Sequence, residues 1–163
     1  MHSRMFQIED HPVLEDERLC SADFEEHWFT REIADYVCNA GTREEDIDMF
    51  IDYVITPLGE CAELVQENGQ AYFILHDGFR EKYFAESYKH FCAILQKLSS
   101  QTTLEDFANG KIDGDMYVLK RAYNNRYGWW VAGEDGIYSL DEWMRSAETD
   151  VKYYFGGVLD YHF

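Results

Sequence analysis

The sequence predicts an α+β fold in a single domain, residues 1–163, with N-terminal helices packed on a mostly antiparallel sheet formed mainly by the C-terminal half. Two patterns carry that reading. Apolar residues recur at helical spacing up to about Gly110, and beyond it the chain changes to short apolar runs broken by Asn and Gly. The composition supports one sizeable core, with 46% apolar side chains, 17% aromatics and two prolines in 163 residues. A chain of this size withdraws roughly 70% of its unfolded surface from water.

Residues 1–20 read as an irregular acidic leader around Pro12, with a short strand at Met5–Ile8. Ser21 is placed to cap a helix, with Asp23, Glu25 and Glu26 near the positive end of its dipole. Phe24, Trp28, Phe29, Ile33, Tyr36 and Val37 follow helical spacing, and Gly41 closes the segment. Thr42 and Glu45 form a capping-box pattern for a second helix, Arg43–Ile55, which stops before Pro57. Residues 56–68 fit two structures. A helix ended by Gly69 is favoured over a hairpin pairing Glu63–Val65 with Ala71–Leu75 across Asn68-Gly69. Ala71–His76 then reads as a buried strand.

Phe84, Tyr88, Phe91, Leu95 and Leu98 recur at intervals of 4, 3, 4 and 3, which marks a third helix. A short helix follows at Leu104–Ala108. Met116–Tyr123 and Gly128–Ala132 read as strands, followed by a tight turn at Glu134-Asp135-Gly136. Ser139 and Glu142 form a capping box for a helix reaching Ala147. Val151–Phe155 and Val158–His162 read as strands on either side of a Gly156-Gly157 bend or bulge.

No basic start with an apolar run suggests a signal peptide, and no 18-residue apolar stretch suggests a membrane span. The expectation is a cytoplasmic protein without a membrane partner. Cys20, Cys38, Cys61 and Cys92 form no C-x-x-C pair and read as small buried thiols.

Charge is the strongest functional signal. The chain holds 32 acidic and 14 basic side chains, and residues 1–70 alone hold 18 acids and 4 bases, a balance of −14. Such a surface repels nucleic acid and attracts basic proteins. Glu44, Asp48 and Asp52 line one face of the predicted Arg43–Ile55 helix, with Glu45 and Asp46 beside them. These carboxylates fall along roughly 12 Å, about one per 2–3 Å, a density comparable to phosphates at ~3.4 Å along a DNA strand. Like charges four apart weaken a helix slightly, and their repulsion is expected to raise the carboxylate pKa values. Glu25, Glu32 and Asp35 extend the acidic set on the preceding helix. The plainer reading is a solvated face.

Tyr123, Tyr127, Trp129 and Trp130 surround Asn124–Gly128, with Arg126 among them. Adjacent strand residues point to opposite faces, so one Trp can lie outside the core as an interface anchor. Trp129 and Tyr127 are the candidates; the alternative keeps Trp130 in the core and lays Trp129 over a helix. No catalytic, cofactor or metal motif is present: H-E-x-x-H, G-x-x-x-x-G-K and G-x-S-x-G are absent, and Asp113-Gly114-Asp115 lacks the rest of a calcium loop.

Length and charge are similar to those of DNA-mimicking antirestriction and anti-CRISPR proteins of phages and mobile elements. That resemblance is compositional and carries no residue over. It implies an inhibitor that sequesters a basic nucleic-acid-handling protein, uses no cofactor and does not itself bind nucleic acid. Two other functions fit the sequence. One is an immunity protein neutralising a toxic nuclease; the other is a small enzyme or ligand-binding domain built from residues such as His76, Asp77 and Tyr83.

Overall fold

The strand at the C-terminal end, β7 (Lys152–His162), organises the architecture because three other strands pair with it directly. The computed structural model describes residues 1–67 and 69–163, so the Asn68 half of the Asn68-Gly69 turn lies outside the described residues. β1 (His2–Glu9) lies antiparallel along one edge of β7. On the other edge, β4 (Gln70–Leu75) pairs with Tyr154–Lys152 and β2 (Tyr36–Asn39) with His162–Leu159. β3 (Ala62–Glu67) extends the sheet beyond β4; β5 (Trp130–Gly133) runs parallel to β1, and β6 (Gly136–Ser139) closes the far edge. The order is β3-β4-β7-β1-β5-β6, with β2 beside β7, and the fold is α+β.

Both faces of this sheet are covered. Phe6, Ile8, Phe73, Val131, Phe155 and Val158 point to one face. There they meet Ile47 and Phe50 of α2 (Arg43–Phe50) and Trp143 and Met144 of α6 (Leu140–Ser146). Met5, Trp130, Ala132, Leu159 and Tyr161 point to the other, under Phe24, Phe29 and Ile33. Alternation along β7 survives a register shift between Phe6 and Ile8, where the two β1 steps face three on β7. The extra residue falls at Gly156-Gly157, as the sequence predicts for a bulge.

Several elements differ from the sequence reading. The irregular leader is in part β1, in the middle of the sheet. The long helix expected from Phe24 to Val37 is instead a 3-10 turn at Ser21–Phe24, a single turn α1 (Phe29–Glu32) and β2. Phe24, Phe29 and Ile33 still reach the core, but pairing with β7 claims Tyr36–Asn39, and Glu26 breaks the path at φ +63°. Asp23, rather than Ser21, caps that first turn, accepting from the Cys20 backbone at 2.7 Å. Thr42 makes no side-chain cap. The chain does not stop at Pro57; it continues through a π turn at Ile51–Ile55 and a 3-10 stretch at Thr56–Cys61. Beyond Cys61 the hairpin, rather than the favoured helix, is the observed structure.

The largest difference follows α3 (Phe79–Gln101) and α4 (Leu104–Ala108): Met116–Tyr123 belongs to a helix, α5 (Asp113–Tyr123). Asp113 and Asp115 sit in its first turn and Lys120 and Arg121 in its last, as the helix dipole favours. Asp115, Leu119 and Ala122 are its half-buried positions, and Asp115 bonds Lys97 of α3 at 2.7 Å. The cysteines are free; Cys38 is exposed and the others half-buried, not the buried thiols expected.

Candidate functional site

The acidic residues singled out in the sequence divide between the two sides of the sheet. Glu44, Glu45, Asp48 and Asp52 are exposed along α2 and the turn after it, on the α2–α6 side. Glu25, Glu32 and Asp35 are exposed in the segment that covers the opposite face. They do not form one surface. Glu32 lies 3.9 Å from Arg126, and Asp35 bonds His162 at 3.1 Å, so part of that second group is partnered.

Asp46 is a correction. Its side chain turns inward, is 5% exposed and accepts from Arg4 Nε at 2.7 Å, while Arg4 also bonds Asp160. Burial pulls the Arg4 guanidinium down, but the two carboxylates outweigh it and hold its pKa above the ordinary value. This ion pair ties α2 to β1 and β7, so Asp46 is not available to a partner. Glu44 also departs from expectation. Its own backbone N–H and the adjacent Arg43 hold its pKa below the usual carboxylate value, where repulsion was expected to raise it.

Trp130 is buried, and Trp129 is half-buried with its ring 5.2 Å from Phe6 and 5.9 Å from Phe50. The plainer of the two sequence readings describes this pair: Trp129 covers α2. Tyr127 is exposed at one edge and stacks on Phe163 at 5.1 Å. His76 and Tyr83 are not brought together. His76 bonds Asp150 at 2.9 Å, while Tyr83 donates to Asp141 at 3.0 Å in a separate depression that contains neither His76 nor Asp77.

A feature that sequence reasoning missed lies where the parallel strands β1 and β5 end. A cleft of about 600 Å³ opens there. Glu9 and Asp10 come from the end of β1, Glu134 and Asp135 from the β5–β6 turn, and Glu148 from the loop after α6. The two-residue turn between paired Gly133 and Gly136 is what projects Glu134 and Asp135. Its position is fixed by Glu9, which accepts from the Glu134 backbone at 3.1 Å, and by Tyr138, which donates to the Asp135 carbonyl at 2.8 Å. Tyr138, Trp143 and Tyr153 supply the aromatic part of the wall. Tyr153 and Trp143 meet edge to face at 5.1 Å, and burial raises the Tyr153 pKa. His11 follows Asp10 in the chain and bonds it at 3.0 Å. That bond is the main cause of a raised pKa; desolvation opposes it, and the charges of Glu134, Glu9 and Asp10 add to the rise.

Carboxylates around an aromatic wall suit a guanidinium or ammonium group, through charge-assisted hydrogen bonds and cation–π contact. No single stretch of sequence signals this cleft, because its acids come from three separated segments. Among the described residues, no group of three or more His, Cys, Asp and Glu side chains is arranged to hold a metal ion. Among the described residues, no helix is long and apolar enough to cross a membrane. Comparison with protein-family models, curated proteins and solved structures finds no match.

Proposed function

We propose that this chain is a cytoplasmic acidic inhibitor that docks on, and occupies, the basic surface of a nucleic-acid-handling protein. The observation that carries the reading is where the charge lies. Residues 79–123 hold 7 bases and 6 acids, a balance of +1, so the remaining residues hold 7 bases and 26 acids, a balance of −19. The sheet and its coverings thus carry the whole acidic excess. The exposed row Glu44, Asp48 and Asp52 offers closely spaced negative charge, and the cleft between Glu9 and Glu148 offers a receptor for one Arg or Lys side chain. A field of this sign speeds encounter with a basic partner and holds nucleic acid away.

The test begins with the tagged chain used to capture its partner from the native host. Association of the purified pair is then followed between roughly 50 and 300 mM salt, a range over which screening lengths shorten appreciably. The expected result is an association rate that falls steeply with salt, with duplex DNA competing for the partner and failing to bind this chain. A captured partner that is acidic, or binding indifferent to salt and DNA, overturns the reading.

A further inference from the structure

We propose that the helical hairpin formed by α3, α4 and α5 is a self-association surface, on which a second copy of this chain docks about a two-fold axis. The hairpin does not complete a core of its own. α4 and α5 contain no buried residue, and α3 buries only Phe79 and Ile94. Tyr88 and Leu95, seven residues apart, share one side of α3, and Met116 and Tyr123, also seven apart, share one side of α5. The two sides coincide, because Tyr123 lies against Phe91 and shares the Arg145 guanidinium with Phe84. The hairpin therefore presents an apolar face on this side, with Leu104 and Phe107 exposed on α4 at its tip, while Tyr117 and Val118 lie on the other side of α5.

These side chains are far more open than a folded monomer needs. Leu104 is 84% exposed, Tyr88 and Phe107 67% and Tyr123 60%. With Leu95 and Met116 they offer on the order of 700 Å² per copy, against roughly 800 Å² per partner in a stable interface. Charge selects the occupant. The basic partner is drawn to the body at −19, not to an arm at +1. An acidic protein is turned away by that same body unless, as in a second copy, its own charge lies far from the contact. A second copy can meet arm to arm while the two bodies point apart. α3 is 23 residues long, about 35 Å, which exceeds a screening length of roughly 8–10 Å. An isologous contact of this kind closes at two copies.

The test is the mass of the full chain in solution, which does not depend on whether the proposed inhibitor function is correct. Sedimentation from about 1 to 100 µM, the weak end of the affinities that interfaces of this size show, is expected to show 19.3 kDa passing to twice that value. Salt is expected to strengthen the dimer by screening the bodies. Leu95→Glu combined with Met116→Glu is expected to shift dissociation at least tenfold, with its melting curve checking the fold. Leu14→Glu, at an exposed position on the body, is expected to leave dimerisation unchanged. A chain that stays at 19.3 kDa throughout, that grows past two copies, or that dimerises equally in the double variant overturns the proposal.

Discussion

The side-chain carbonyl oxygen of Gln7 accepts the backbone N–H of Gly157 at 2.8 Å, in the interior of the fold. The same oxygen accepts Leu19 N–H at 2.8 Å, and the Gln7 amide donates to the Glu17 carbonyl at 3.2 Å. One buried side chain thus joins β1, the β7 bulge and the segment after Pro12. Arg43 holds the bulge as well, donating to the Gly156 and Phe155 carbonyls at 2.7 and 2.9 Å. A Cβ on Gly157 would overlap the Leu19 carbonyl, and one on Gly156 the Gln7 side chain. Gln7→Leu leaves the buried Gly157 N–H and the part-buried Leu19 N–H without an acceptor and is expected to cost about 1–3 kcal/mol. Gly157→Ala is expected to cost about 1–3 kcal/mol through overpacking. Urea unfolding midpoints check both, and a loss below ~0.5 kcal/mol for Gln7→Leu would refute the joint.

Arg4 and Asp46 make a second prediction. Asp46→Asn keeps the shape but removes one of the two carboxylate charges facing Arg4, leaving Asp160. Fully buried pairs cost about 3–5 kcal/mol to break, and because Arg4 is partly open to water the expected loss is about 1–3 kcal/mol. Asp48→Asn, on the exposed side of the same helix, is expected to stay within ~0.5 kcal/mol. Equal melts for the two variants would show that the pair contributes nothing.

What was legible in the sequence was local. The Ser139–Glu142 capping box is present, with Ser139 Oγ accepting from Glu142 N–H at 3.3 Å. The Glu134-Asp135-Gly136 turn, the α3 stripe and the Gly-Gly bulge also appear where their residues place them. What failed required knowledge of partners. Met116–Tyr123 is rich in residues that strands favour, yet Asp115, Leu119 and Ala122 have α3 to pack against and no strand to pair with. Tyr36 and Val37 fit a helix by spacing, yet β7 offers them a ladder. Asp46 reads as one more surface carboxylate until Arg4, 42 residues away in the chain, faces it. The cleft was out of reach for the same reason. Only the parallel pairing of β1 with β5 brings Glu9 to Glu134.

Two titrations follow from local geometry, with opposite signs. Asp106 is held at about 2, below its ordinary 3.8, chiefly by the Thr103 hydroxyl and then by Lys111. A depressed carboxylate stabilises α4 above its ordinary value, and that contribution disappears as pH falls towards about 2. His11 is raised above 6.5, so its contribution is present below that pH and is lost as pH rises through the folded-state value. NMR titration is expected to place the Asp106 midpoint below the ordinary 3.8 and to move it upward in Thr103→Ala. Glu134→Gln is expected to lower the His11 midpoint. A His11 midpoint indifferent to Glu134 would remove it from the field of the cleft.

The last prediction separates the two acidic features of the proposed inhibitor. Glu44→Gln with Asp48→Asn and Asp52→Asn removes three exposed charges, of which Glu44 pairs with Arg43. The fold is expected to stay within ~0.5 kcal/mol while association with the captured partner slows about tenfold at low salt. Glu134→Gln with Asp135→Asn and Glu148→Gln is expected to slow association similarly. It should also speed dissociation, because a side chain seated in the cleft loses its charge-assisted bonds. Trp129→Ala belongs to neither class. Its ring packs on Phe6 and Phe50, so the expected effect is a lower melting temperature, with about 2–4 kcal/mol lost from the fold. Stopped-flow association and surface-based dissociation, run on all three variants, resolve these outcomes. If the α2 triple variant binds normally and the cleft variant does not, the partner reads the cleft alone, and the resemblance of α2 to a phosphate row is only its solvated face.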